Sequence, residues 1–313
     1  MAAHQTRLAP QGRAIAIVIA MVCLVGACGP ATPEPDTRQA PTPPATAAVA
    51  PTASRIVSIA PAVTEILFAI EAGPQVVGVS SYDRFPPEAT ALPTVGALLD
   101  PDTERILSLR PDLVVIYGSQ TDQLARFDAA GIRTYTYRHG GIESVFQTII
   151  DLGALTGRAA QAKRLEHDIR TSLDQVRSRV AGLVRPRTLL VFDQQPGTLQ
   201  GLYASGGVGF LHEMLEIAGG ANVFADSDRE AVQPSHETLL SVAPEAIVQL
   251  SSMPKSAVDI ERAQALWHRL GSISASRQNR ILFLAGSHLV VPGPRLALGV
   301  DALARALHPE AFR

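Results

Sequence analysis

A chain of 313 residues, 46% hydrophobic and 18% charged, can bury a substantial core, which excludes a disordered protein. Its formal net charge of −2 supplies no electrostatic drive toward nucleic acid. The two cysteines, Cys23 and Cys28, lie close together near the N-terminus, so neither a disulfide framework nor a cysteine zinc site can form in the body.

Arg7 and Arg13 precede an uncharged stretch, AIAIVIAMVCLVGA, over residues 14–27. It falls short of the roughly 20 apolar residues of a membrane-spanning helix and matches a secretory signal peptide instead. The run ends in Val25-Gly26-Ala27-Cys28, which resembles the bacterial lipobox. Cys28 is therefore expected to carry lipid, and residues 1–27 to be removed. A lipid-anchored, extracytoplasmic protein with no free thiol follows from this reading. The next segment, to residue 54, holds seven of the chain's 23 prolines and no aromatic residue. It is expected to act as a tether, reaching roughly 80 Å if extended at about 3.1 Å per residue.

From Arg55 onward, strand-like and helix-like segments alternate. Strands are expected at 55–59, 76–80, 112–117 and 132–137. Helices are expected from Pro61 to a stop at Gly73, and at 102–109, 121–130 and 142–155. A long amphipathic helix should follow over 158–183, ended by Pro186. Leu165, Ile169, Leu173, Val176 and Val180 form its single apolar stripe. A coiled coil is the competing reading of that stripe, but it is short of four heptads. The alternation then resumes, with strands at 187–193, 245–250 and 280–285 and helices at 209–218, 235–241, 258–270 and 295–307.

The two halves echo each other. ERILSLRPDLVV, starting at Glu104, matches ETLLSVAPEAIV, starting at Glu237. Each copy reads as a helix, a proline stop and a buried strand, with a capping residue, Asp102 or Ser235, two residues before the glutamate. The expected fold is α/β: two similar lobes with mostly parallel central sheets, bridged by one long rigid helix. The lobes span 55–156 and 185–313, and the bridge spans 157–184. A glutamate in a first helical turn is favourable for structural reasons alone, at roughly 0.3–1 kcal/mol. Its repetition also suits a partner with two matching basic sites.

RIVSIAPAVTEILFAI, VVGVSSYDRFPPEA, ERILSLRPDLVV, LGALTGR, LEIAGGANVF and VPGPRLALGVDALARALHP occur in order from Arg55 to about Pro309. Together they resemble the periplasmic-binding family that delivers iron complexes, haem and cobalamin to ABC importers. The resemblance implies a monomeric, non-enzymatic lipoprotein with a cleft between its lobes, and a permease contacted through Glu104 and Glu237. It implies no resident cofactor, the ligand being cobalamin or a ferric chelate. Loops at the carboxyl ends of strands, where open α/β sheets bind ligands, contain Tyr82, Leu98, Tyr117, Phe192, Tyr203 and residues 287–294. Compared with the cobalamin-binding branch, Tyr82, Tyr117 and Phe192 fall at aromatic ligand-facing positions, while Leu98 and Ala231 stand in place of tryptophans. Cobalamin is favoured. A ferric siderophore would use cations such as Arg84, Arg138, His139 or Arg295, and haem would use an axial group such as Tyr82, His139 or His288.

The enzyme alternative, an extracytoplasmic hydrolase, lacks any GxSxG elbow, HExxH helix or phosphate loop. Gly206-Gly207-Val208-Gly209 is a weak candidate anion-binding turn.

Overall fold

A computed structural model describes residues 51–97 and 99–313, and Ala50–Arg313 forms one compact unit. The signal-peptide and lipobox positions, with Cys28, and the tether up to residue 50 lie outside the described residues.

In chain order the first lobe contains β1 (Ile56–Ser58), α1 (Pro61–Ala69), β2 (Val76–Val79), α2 (Thr103–Ser108), β3 (Leu113–Tyr117), α3 (Thr121–Ala129), β4 (Arg133–Tyr137) and α4 (Ile142–Thr156). Its four strands form a wholly parallel sheet in the order β2-β1-β3-β4. Alternation across the pleat sorts their side chains between two cores. Ile56, Leu113 and Val115 face α1 and α4, while Val57, Val114 and Ile116 pack with Ile106 and Phe127 on the other face. β3 is a near-continuous apolar run because both of its faces are covered.

Then α5 (Ala159–Val180) crosses to the second lobe. That lobe comprises β5 (Arg187–Asp193), β6 (Tyr203–Ser205), α6 (Phe210–Ile217), β7 (Ala221–Asn222), β8 (Ala231–Val232), α7 (His236–Val242), β9 (Ala246–Ser251), α8 (Ala257–His268), α9 (Ser274–Arg277), β10 (Ile281–Ala285) and α10 (Leu296–Leu307). Its sheet runs β10-β9-β5-β6-β8, with β7 also paired to β5. β5, β7, β9 and β10 are parallel, and the β6–β8 edge is antiparallel. The chain thus matches the expected two-lobe α/β architecture, with a mixed second sheet.

The stripe on α5 packs against α4, α6 and α10. Ile169, Leu173, Val176 and Val180 are buried there, and Leu165 is partly buried. The apolar stripe is therefore consumed within the chain. The main core runs without a break from the first sheet through α4, α5, α6 and α10 to the second sheet, so the lobes share one packed spine. Trp267, the chain's single tryptophan, is fully buried in a separate core behind the second sheet and donates Nε1–H to Gln249 Oε1 at 3.3 Å.

Both expected caps form. Asp102 accepts from Arg105 N–H at 2.9 Å, and Ser235 Oγ accepts from Thr238 N–H at 3.1 Å. Replacing Asp102 with Ala is expected to lower the unfolding free energy by about 1 kcal/mol. The check is urea denaturation with an unchanged slope, and an unaltered midpoint would refute it.

Three expectations need correction, and three short strands were not expected. Gly73 does not stop α1: the helix ends at Ala69, and Glu71 makes the reversal with a φ of 64°. Gly73 opens a short 3-10 turn under the Phe68 ring, where an added Cβ would lie 2.7 Å from a ring carbon. Pro186 does not end α5, which finishes at Val180 before Gly182 turns the chain at a φ of 78°. Pro186 directly precedes β5, its carbonyl accepting from Ala221 N–H at 2.9 Å. Residues 51–54, assigned by composition to the tether, are docked on the first lobe. Ala53 N–H donates to Leu155 O at 2.7 Å, and Ser54 Oγ donates to Asp112 Oδ2 at 2.7 Å. Finally, β6, β7 and β8 are two or three residues long, too short to give a periodic signal.

Candidate functional site

The site assembles at the carboxyl ends of the strands. Tyr117 closes β3, Tyr137 closes β4, and His139 follows two residues later. Tyr117 Oη and His139 Nε2 are 2.7 Å apart, and the Tyr117 ring meets Tyr137 edge-on with centroids 5.1 Å apart. His139 completes the triangle, 5.2 Å from the Tyr117 ring and 5.4 Å from Tyr137. Burial pushes the Tyr117 hydroxyl up to about 12 and raises Tyr137 as well. Both phenols therefore remain neutral donors at physiological pH. Desolvation holds the His139 imidazole below its usual value, against the opposing pull of Glu230.

Opposite stand residues of the second lobe. His139 shares a crevice of about 190 Å³ with Phe192, Val208, Phe210, Glu230 and Val290. Ala231 also lines it, and Phe192 at the end of β5 lies 6.2 Å from the Tyr203 ring. Small-molecule sites usually enclose roughly 300–1,000 Å³. A ligand of corrinoid size must therefore overhang this enclosed part or part the lobes. Larger cavities elsewhere are hinge-side or outer-surface grooves that join no strand-end aromatics.

The predicted positions divide into those brought together and those not. Tyr117, Phe192 and Tyr203 belong to the two facing aromatic groups. Tyr82 lies on the loop after β2 and is 65% exposed, available to a ligand but touching none of these rings. Leu98 lies outside the described residues. His288 sits in the turn after β10, its pKa lowered by burial and then by the Arg295 charge. Arg295 precedes α10 and is occupied: Nε donates to Glu65 Oε2 at 2.8 Å, and Nη2 donates to Glu65 Oε1 at 2.5 Å and Ser287 Oγ at 2.9 Å. Arg84 Nη1 reaches only the Asp83 carbonyl, at 3.3 Å. Glu104 and Glu237 are exposed in the first turns of α2 and α7, one in each lobe. Neither carboxylate has a hydrogen-bond or ion-pair partner among the described residues.

The glycine-rich segment is structural. An added Cβ at Gly206 would lie 2.0 Å from Arg229 O, and one at Gly207 would lie 2.1 Å from Ala225 O. Their N–H groups donate to Glu230 O and Ser227 O, at 3.0 and 3.1 Å. These two N–H groups are therefore not available to an anion. The close approach instead carries Glu230 to the crevice.

Sequence reasoning missed Glu65, Phe85 and Glu230. Glu65 did leave a signal, being the lone charge in the apolar run PAVTEILFA of α1. Among the described residues no group of three or more metal-ligating side chains occurs, and no helix is long and apolar enough to cross a membrane.

A family profile described as periplasmic binding protein matches residues 56–286. The chain belongs to the periplasmic binding protein family. Like its family, this periplasmic binding protein captures a solute and transforms none, and it serves an importer from outside the cytoplasm. It is 31% identical over 246 residues to the vitamin B12-binding protein of Salmonella typhimurium, covering 78% of this chain and 86% of that one. It is 27% identical over 255 residues to an uncharacterized ABC transporter substrate-binding lipoprotein of Bacillus subtilis, covering 80% and 78%. Among solved structures, the periplasmic vitamin B12 binding protein of Vibrio cholerae superposes with a TM-score of 0.70 at 25% identity, over 83% of this chain and 98% of that one. A periplasmic heme binding protein of Pseudomonas aeruginosa gives 0.71 at 26% identity, over 82% and 93%.

Proposed function

We propose that this binding protein captures cobalamin or a related corrinoid in the cleft between its lobes and hands it to an ABC permease through Glu104 and Glu237. The observation that carries the reading is the pair of facing aromatic groups at the strand ends. Tyr117 and His139 stand on one wall, Phe192 and Tyr203 on the other. Such walls suit a broad, largely apolar ring with amide substituents: the rings supply contact area and the neutral phenols supply donors. Among the described residues no free cation lines the enclosed crevice, which favours a corrinoid over an anionic ferric chelate. The similarity to vitamin B12-binding proteins points the same way. In this reading Cys28 carries the lipid anchor and the protein works as a monomer.

Haem is the second reading. It is favoured by the likeness to a heme binding protein and by the exposed phenol of Tyr82, a possible axial group.

Calorimetric titration with cobalamin, a ferric hydroxamate, a ferric catecholate and haem separates the ligands. Cobalamin should give the tightest isotherm, and tighter haem binding overturns the corrinoid assignment. Phe192→Ala is expected to weaken cobalamin binding about tenfold, the equivalent of about 1.4 kcal/mol. Unchanged affinity would remove Phe192 from the site.

A further inference from the structure

Glu65, buried, and Arg295, partly buried, are two ionic side chains between the lobes that ligand capture leaves unexplained. Glu65 is 4% exposed, and the Arg295 side chain 18%. They are 230 residues apart in sequence and meet in a bidentate pair, with Glu65 on α1 of the first lobe and Arg295 at the start of α10 in the second. The guanidinium has further contacts: Nη2 also donates to Ser287 Oγ, and the Phe85 ring lies 3.7 Å beneath it. Taking two charges from water is costly and is recovered only when geometry and surrounding hydrogen bonds are complete. Such a pair contributes little net stability relative to apolar packing, so what it supplies is register between the parts it joins. A further side-chain bond crosses between the lobes at the helical spine, where Glu213 Oε2 accepts from Ile142 N–H at 2.6 Å at the start of α4.

We infer that the Glu65–Arg295 pair is an interlobe clasp, which positions the two lobes and so sets both the width of the cleft and the separation of Glu104 from Glu237. Arg295 then works through Glu65 and leaves ligand contact to the aromatic walls. A ligand too large for the enclosed crevice must be admitted against this clasp or seated beside it. The inference concerns lobe spacing alone, and its test needs no ligand, so its failure is separable from failure of the corrinoid reading.

Spin labels at Leu107→Cys and Leu240→Cys report on the spacing. Both positions are exposed, on α2 and α7, and Cys23→Ser with Cys28→Ser removes the native thiols. Pulsed dipolar spectroscopy on this background should give one narrow distance distribution. The nearly isosteric Glu65→Gln should broaden it about twofold, since hinge motion is the default once an interface loses its restraint. The charge swap Glu65→Arg with Arg295→Glu should restore much of the narrow distribution. A purely structural role lowers the melting temperature without changing the distribution. A Glu65→Gln protein that is folded by circular dichroism and keeps the original width overturns the clasp.

Discussion

Reversing both charges proposed for docking, Glu104→Lys with Glu237→Lys, should abolish ligand uptake while leaving calorimetric affinity for cobalamin unchanged. Each carboxylate is exposed in the first turn of a capped helix, and neither has a partner among the described residues. Among the described residues nothing uses these charges except the helix dipoles, so reversal should cost only about 0.3–1 kcal/mol per site and the lobes should still fold. A permease with one basic pocket per lobe would lose two attractions and gain two repulsions. Close charge pairs at interfaces contribute about 1.5–7 kcal/mol each, so the loss in uptake should exceed about 100-fold. Single reversals should fall between the wild type and the double variant. Uptake measured in cells carrying the double variant decides the matter, and wild-type uptake would end the docking proposal. A loss of cobalamin affinity would relocate the glutamates to the ligand site.

Asp83 should make the protein less stable as pH rises through 6. It is 3% exposed, on the loop that carries Tyr82 and Arg84. Its Oδ2 accepts from Ser80 N–H at 2.8 Å, while Oδ1 is buried with no hydrogen-bond partner among the described residues. Burial pushes the carboxyl from 3.8 up to about 6, Thr64 and Ser80 pull it back in part, and Glu65 adds a further upward push. The folded state therefore holds this proton more tightly than the unfolded chain does. The stability linked to it is fully present below the unfolded value and is lost as pH climbs through the folded one. Between pH 4.5 and 7.5 that loss is about 2 kcal/mol. Asp83→Asn cannot release a proton, so its stability relative to wild type should rise by that amount over the same interval. Urea unfolding of both proteins at the two pH values measures it, with other titrating groups cancelling in the difference. Parallel profiles would mean that Asp83 ionises freely in the folded protein.

Trp267 shows how far local pattern reaches. Its position within the helix expected at 258–270 was visible in the sequence, but its distance from the cleft was not. Full burial behind the second sheet makes it a reporter of that core rather than of the ligand. Similarly, Tyr117 and Phe192 could be placed at strand ends because strand period and turn residues are local. That Tyr117 meets His139, and that Phe192 shares a crevice with it, depended on the order β2-β1-β3-β4 and on the packing of α4, α6 and α10 against α5. The short antiparallel strands β6 and β8 escaped notice because two or three residues cannot display a period.

By itself the amino-acid order determined the α/β alternation, the bridging helix and the capped repeat that carries Glu104 and Glu237. Each of these is written in neighbouring residues through periodicity, caps and breakers. Only the tertiary structure decided that Arg295 faces Glu65 across 230 positions, that the glycines at 206 and 207 admit a neighbouring backbone rather than an anion, and that the tether's last residues dock. Such pairings are set by how distant segments pack, and packing joins groups whose spacing along the chain carries no record of the contact.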